Sequence, residues 1–339
     1  MLLTSRYSRH YGAEFDIAEG VAVVSAKGCR YFTDSRYIES AQNNIQGFEV
    51  LDIAGYGFAK RLNDAIADFG ITVLGYEENY LTVAELHMYE QNLNAKLVPF
   101  NKQINGFRGV KEDWEMELMR KAQAIADKAF EEVLPRIKVG MSELELQAEL
   151  IYCMYKNGAH GLSFDPIVVS GPNSSLPHGV AGERKIQNGD FITMDFGVLY
   201  HGYCSDMTRT VAMGFVTEEM EKIYNTVLEA QLAGIAASKA GVPGQDIDAA
   251  ARKVIADAGY GEYFGHGYGH SLGLEIHESP SPNARNAEGM PLHSVASAEP
   301  GIYLPGKYGV RIEDVVIFTE DGCENITHSP KNLIILGKN

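Results

Sequence analysis

The sequence predicts an α+β chain: a small α/β domain over residues 1–108, then a larger domain over 112–339 made of two pseudo-symmetric halves. Three observations predict it. At 339 residues the chain exceeds what one core usually supports. Short strand-like runs alternate with helical ones in the first part, the pattern of a layered α/β unit. Beyond Glu112 a pair of helices occurs twice: Gly140 and Gly241 stand 101 positions apart, and so do Gly158 and Gly259, as an internal duplication would place them.

Taken in order, residues 21–24 and 30–33 read as strands about the Lys27-Gly28 turn signal, with a helix over 34–42. A strand over 48–53, a helix over 56–69 and a strand over 71–75 continue the alternation. Asn105-Gly106-Phe107-Arg108-Gly109 reads as a linker. This first domain carries no phosphate loop and no clustered acids, so no chemistry is assigned to it. From Glu112 the period changes: Trp114, Leu118, Ala122, Ile125, Ala129 and Val133 recur at three and four, the apolar stripe of a long helix limited by Pro135. Ser142 with Glu145 three residues on is a capping box for a second helix that ends near Gly158. Helices over 218–240 and 246–258 repeat the pair, and each half then runs into strands.

Composition narrows the function. A formal charge of −16 opposes nucleic acid and anionic membrane as partners and is compatible with cations or neutral substrates. The first residues lack the basic and apolar segments of a signal peptide, and no run suits a bilayer, so a cytoplasmic protein is expected. Cys29, Cys153, Cys204 and Cys323 show no C-x-x-C spacing, and disulfides are not expected.

The acids come in pairs. Residues 188–197 and 203–211 read as two strands joined through Leu199 to Gly202, and a turn centred on Tyr200-His201 sets Asp195 opposite Asp206. Residues 297–304 and 308–318 repeat the device: a turn centred on Gly306 sets Glu299 opposite Glu313, with Arg311 on the same face. Like charges opposite one another destabilise a sheet unless a cation lies between them. A solvated sheet face for the first pair and a salt bridge to Arg311 for the second are the structural alternatives. Between the hairpins lies Gly265-His266-Gly267-Tyr268-Gly269-His270, continuing to Ile276-His277-Glu278. Its glycines argue against a helix and for an extended segment packed close to other backbone. Four acids and this segment exceed what one arginine balances, whereas a pair of bound metal ions accounts for the set. The ligands are then Asp195, Asp206, His270, Glu299 and Glu313. Four carboxylates and one imidazole are hard donors suited to manganese, with cobalt or zinc as substitutes, and a dinuclear centre of this kind activates water.

With those residues assembled, the chain resembles the superfamily of aminopeptidase P, prolidase and methionine aminopeptidase. The phrases Met194-Asp195-Phe196-Gly197, Ser205-Asp206-Met207-Thr208-Arg209-Thr210, Glu299-Pro300-Gly301-Ile302-Tyr303 and Val310-Arg311-Ile312-Glu313-Asp314 fit its proline-peptidase branch. The resemblance implies a pita-bread catalytic domain over 112–339 and, over 1–108, a shortened creatinase-like N-terminal domain, open to the loss of its first strand. It implies Asp195 on one metal, His270 and Glu299 on the other, and Asp206 and Glu313 bridging. It further implies that Glu299 accepts a proton, that His178, His266 and His277 hold substrate and oxyanion, and that Arg311 supports the cluster. The implied activity is an Xaa-Pro aminopeptidase acting on peptides with proline second, with an Xaa-Pro dipeptidase as the alternative and a non-catalytic peptide-binding relative as the reading from another class. Homodimers are common in the family. Many relatives carry an arginine shortly after the His-Glu phrase, where this chain has Ser279-Pro280-Ser281-Pro282; Arg285 lies near in sequence.

Overall fold

The computed structural model describes residues 1–15 and 19–337, which divide into two units, Met1–Arg108 and Gly109–Asn339. In the first, β1 (Leu2–Leu3), β2 (Val21–Ser25), β3 (Gly28–Thr33) and β4 (Glu49–Asp52) form a sheet in that order, with only β3 and β4 parallel. Helices α1 (Arg6–Ala13), α2 (Ile38–Asn44) and α3 (Gly57–Phe69) connect these elements. Strands β5 (Val73–Tyr76) and β6 (Lys96–Pro99) pair in parallel, and α4 (Val83–Asn92) supplies the crossover that parallel strands require. Val23 and Phe32 of the sheet pack on Leu62, Ala65 and Ile66 of α3. The expected linker at 105–109 is instead the end of a helix, α5 (Asn101–Gly109). Ile104 and Arg108 are buried in it, so packing overrides the poor helix propensity of Asn105 and Gly106.

In the second unit α6 (Asp113–Val133) and α7 (Glu143–Lys156) lead to β7 (Gly161–Leu162), β8 (Ile167–Ser170), β9 (Phe191–Phe196), β10 (Val198–Tyr200), β11 (Tyr203–Cys204) and β12 (Met207–Met213). A second helix pair, α8 (Glu218–Ala237) and α9 (Gly244–Asp257), leads to β13 (Val295–Ala298), β14 (Gly301–Leu304), β15 (Tyr308–Arg311), β16 (Asp314–Phe318), β17 (Cys323–Asn325) and β18 (Ile335–Leu336). Each pair packs over its own strands and makes its own core. Phe130, Leu146 and Leu150 meet Ile192, Met194 and Val211, while Tyr224, Val227 and Ile247 meet Ala296, Ile302 and Val316.

The two halves repeat several backbone bonds at equivalent places. Gly140 donates to Ile186 O and Gly241 to Met290 O; Ile186 donates to Met141 O and Met290 to Val242 O. Ala159 donates to Met154 O, and Tyr260, 101 positions on, donates to Ile255 O. Gly140 and Gly241 hold φ values of 86° and 83°, a left-handed turn that favours glycine at both places. The capping box at Ser142 is present in both directions, at 3.1 and 2.6 Å. Those backbone and side-chain bonds to Ser142, with the nearby Lys185, pull the Glu145 carboxyl down to about 2.

The halves also bond to each other through equivalent residues. Thr208 and Glu313, 105 positions apart, are joined by a side-chain bond of 2.7 Å and by Glu313 N donating to Thr208 O at 3.1 Å. Arg209 and Asp314 follow with an ion pair of 2.7 Å whose side chains are 1% and 0% exposed. A pseudo-two-fold axis therefore passes through the neighbourhood of Glu313. Among the described residues, no helix is long and apolar enough to cross a membrane.

Candidate metal centre

Of the predicted ligands, Asp206, Glu299 and Glu313 stand where the two long hairpins break. In the first, β9 pairs with β12 and β10 with β11 in one register, interrupted at Gly197 and Ser205-Asp206. In the second, β13–β16 and β14–β15 share a register, interrupted at Glu299-Pro300 and Ile312-Glu313. These breaks free backbone and turn carboxylates inward between continuous ladders. Glu299 and Glu313 fall in line with each other, as expected. Asp195 does not face Asp206; it faces Thr208. The turn is His201-Gly202, with φ of 47° and 83°, the two positive values of a tight hairpin, so pairing is shifted by two residues from the expected register. A shift of two keeps each side chain on its face, and both acids still point to the same cavity. Asp195 and Glu299 thus occupy equivalent places in the two halves, opposite Thr208 and Glu313.

His270 arrives from the glycine-rich segment, which runs antiparallel beside β13: Ser297 N donates to His270 O at 2.8 Å and Glu299 N to Tyr268 O at 2.8 Å. The approach explains Gly269, where a Cβ would lie 2.0 Å from Ser297 O. The segment is extended rather than helical, as its glycines predict.

Asp206, His270 and Glu313 each offer a ligand atom within 4.8 Å of the others. His270 Nε2 lies 3.4 Å from Asp206 Oδ2 and 3.4 Å from Glu299 Oε1. Its Nδ1 lies 3.2 Å from Ser271 O, which can only accept, so Nδ1 carries a proton and Nε2 is the nitrogen that faces the acids. Asp195 stands beside this group, bonded through Oδ2 to Arg311 Nη2 at 2.5 Å. The remaining oxygens Asp195 Oδ1 and Asp206 Oδ1 are buried with no hydrogen-bond partner. Such orphaned acceptors cost free energy unless a cation completes them, and the donor set fits divalent metal ions.

Without a cation the acids burden one another. Burial raises Asp195 against the pull of Arg311. Burial also raises Asp206 to about 7, although its bond to His270 opposes the shift. Glu313 is pushed well above the carboxylate range by burial and by Asp206 and Glu299. For His270 burial acts downward, but the Asp206 bond and the charges of Glu299 and Asp206 prevail and raise it to about 9.

A cavity of about 740 Å³ opens over these groups, lined by His178, His266, His277, Asp195, Asp206, His270, Glu299, Arg311 and Glu313. All nine predicted site residues therefore meet in one place. The His270 and His277 rings stand 4.4 Å apart, and burial together with His270 lowers the His277 imidazole. Both His266 nitrogens are engaged, Nδ1 at 2.9 Å from Gly267 O and Nε2 at 2.9 Å from Tyr303 OH. The carbonyl fixes the Nδ1–H form, so Nε2 accepts from Tyr303, whose oxygen in turn receives Arg311 Nη1 at 2.7 Å. Residue-by-residue reading passed over Tyr303, Thr208 and Arg252. Thr208 pairs with Asp195 only in the register set by the His201-Gly202 turn.

Three cavity cations differ in their commitments. Arg311 is held by Asp195, Thr208 and Tyr303. Arg252 is paired with Asp248 and donates to Phe264 O and His266 O. The Arg285 guanidinium has no partner among the described residues.

Residues 117–320 match the model of metallopeptidase family M24, and residues 1–110 match the creatinase/prolidase N-terminal domain. The chain is 43% identical over 337 residues to the uncharacterized peptidase YqhT of Bacillus subtilis, covering 99% of this chain and 95% of that one. Among solved structures, an Xaa-Pro dipeptidase from Bacillus anthracis is similar at TM-score 0.96 and 45% identity, over 99% and 94% of the two chains. An X-Pro aminopeptidase from Thermotoga maritima is similar at TM-score 0.94 and 37% identity, over 99% and 97%.

Proposed function

The chain belongs to metallopeptidase family M24, a creatinase-type domain followed by a pita-bread catalytic domain, and from that premise we propose that it is an Xaa-Pro dipeptidase with two manganese ions. Asp195, Asp206, His270, Glu299 and Glu313 would hold the ions. When bound, such a pair polarises the scissile carbonyl and lowers the pKa of water.

The chain's own residues do the rest. Arg311 engages Asp195 Oδ2 and leaves Oδ1 for a cation. Glu299, bonded at Oε1 by Ser297 Oγ at 3.0 Å, keeps its other oxygen for proton transfer. His277 serves as the donor to developing negative charge on the substrate carbonyl. Arg311 Nη1 also reaches Pro177 O at 3.4 Å, which ties the His178 segment to the same frame. His266 acts through Tyr303 and Arg311, since both its nitrogens are engaged.

One observation carries the choice of dipeptide. A dipeptide ends in a carboxylate beside the scissile bond, and Arg285 is the cavity cation with no carboxylate of its own among the described residues. The sequence alone favours the aminopeptidase slightly, because the usual arginine is missing after His277-Glu278. Arg285 lining the cavity removes that objection, and the similarity to dipeptidases from Bacillus anthracis and Pyrococcus horikoshii supports the dipeptide. The Thermotoga maritima relative keeps the aminopeptidase as the second reading. Four unpaired cysteines suit a cytoplasmic setting.

The test is Arg285→Ala assayed on an Xaa-Pro dipeptide and on its C-terminal amide. Losing a charge-assisted bond of about 1.5 to 3 kcal/mol raises KM for the free acid by about ten- to a hundredfold and leaves the amide unchanged. Equal behaviour of acid and amide in the unaltered protein overturns the dipeptide assignment.

A further inference from the structure

Glu278 follows His277 directly, yet its carboxylate is buried. Oε2 accepts Lys111 Nζ at 2.7 Å, with side chains 5% and 1% exposed. Oε1 accepts Glu275 N at 3.2 Å, and Glu278 N donates to Ser271 O at 2.7 Å. The fit depends on Gly273, where a Cβ would stand 2.7 Å from Oε2. Lys111 is itself anchored, its N–H donating to His293 O at 3.1 Å. Cys204 N donates to Gly273 O at 2.7 Å and fastens the start of the same segment to β11. A further buried acid, Glu115, bonds Tyr203 OH at 2.7 Å beside this pair. Residues 273–278 are thus held by a buried ion pair and its backbone bonds, while His277 between these fastenings presents its ring to the cavity, 4.4 Å from the His270 ring.

Stability alone does not call for such a pair, because apolar residues of similar volume replace buried ion pairs without loss in other proteins. An ion pair differs from apolar packing in direction: it fixes one carboxylate at one place. We propose that Lys111 and Glu278 are positioning residues that set where His277 stands against the scissile carbonyl, so that they act on turnover only through that imidazole. The proposal rests on the role of His277 in the proposed reaction. A ring displaced by about an ångström loses much of its hold on the transition state while substrate binding changes little.

Four proteins test it: Glu278→Gln, His277→Ala, the two combined, and Lys111→Met/Glu278→Met. Glu278→Gln should lower kcat on an Xaa-Pro dipeptide by about tenfold or more with KM within about twofold, and should cost nothing further on the His277→Ala background. The apolar double variant should fold, bind manganese in calorimetry like the unaltered protein, and show the same loss of kcat; it carries the test if Glu278→Gln does not fold. A readout without turnover accompanies these: in metal-free protein labelled at histidine, the His277 ring signal, assigned from His277→Ala, should move in Glu278→Gln. A kcat loss equally large without His277, or a His277 signal that stays in place, overturns the proposal. If the unaltered protein cleaves no Xaa-Pro peptide, the functional reading has failed, and the ring signal alone decides the positioning role.

Discussion

Removing the metal should make the second unit less stable as pH rises, and reloading it should flatten that trend. In the metal-free protein burial holds Asp206 at about 7, whereas in the unfolded chain a carboxyl of this kind titrates near 3.9. The folded state therefore keeps a proton that the unfolded state gives up. This stabilising protonation is complete below pH 4 and is lost as pH rises through 7. His270 works in the same direction: raised to about 9, it contributes stability below about 6.5 that is lost through 9. About three pKa units at roughly 1.4 kcal/mol each assign about 4 kcal/mol to Asp206. For a unit of this size, roughly 2 to 4 °C per kcal/mol makes that a fall of about 10 °C between pH 4 and pH 8. Cations replace the protons as counter-charge, so the loaded protein should change much less, and the gap between the two forms should widen with pH. Calorimetric scans of chelator-treated and manganese-loaded protein at several pH values measure both curves. Metal-free protein as stable at pH 8 as at pH 5, or a gap that narrows as pH rises, refutes the reasoning.

Three substitutions extend the test. Glu313→Ala removes a proposed ligand and should lower metal-dependent hydrolysis by at least about a hundredfold with a native far-UV spectrum; full activity sinks the ligand set. Gly269→Ala puts a Cβ 2.0 Å from Ser297 O, so the backbone bearing His270 must move, with about 1 to 3 kcal/mol of stability lost in a denaturant titration and weaker manganese binding in calorimetry. Ser142→Ala removes the cap bond to Glu145 N and should cost about 1 kcal/mol in the same titration while leaving kcat untouched.

Much of the catalytic unit was legible because its signals are local. Capping residues, helix periodicity and glycines at equal offsets mark both helix pairs, and the turn at Gly306, with φ of 72°, gives the second hairpin its true register. The first hairpin misled because its turn places the non-glycine His201 at positive φ, a conformation that a residue's identity signals poorly. The error left the ligands recognisable, since a two-residue slip does not change the face. Elements of the first unit were harder. β1 is only two residues long, α1 is mostly polar, and α4 was passed over although a Thr82–Glu85 capping box marks its start. The Arg311–Tyr303–His266 chain and the Lys111–Glu278 pair join residues remote in sequence, and pairings of that kind emerge only from the folded topology.

The proposed function is that of a metal-dependent Xaa-Pro dipeptidase. Its most direct measurement is hydrolysis by metal-stripped protein, with and without added manganese, of an Xaa-Pro dipeptide, an Xaa-Pro-Xaa tripeptide and a methionyl-alanyl peptide. An Xaa-Pro dipeptidase gives manganese-dependent cleavage of the dipeptide, with little of the tripeptide and none of the methionyl peptide. Cleavage of the tripeptide after its first residue at an equal rate makes the protein an aminopeptidase, and folded, manganese-loaded protein that cleaves none of them contradicts the proposed function.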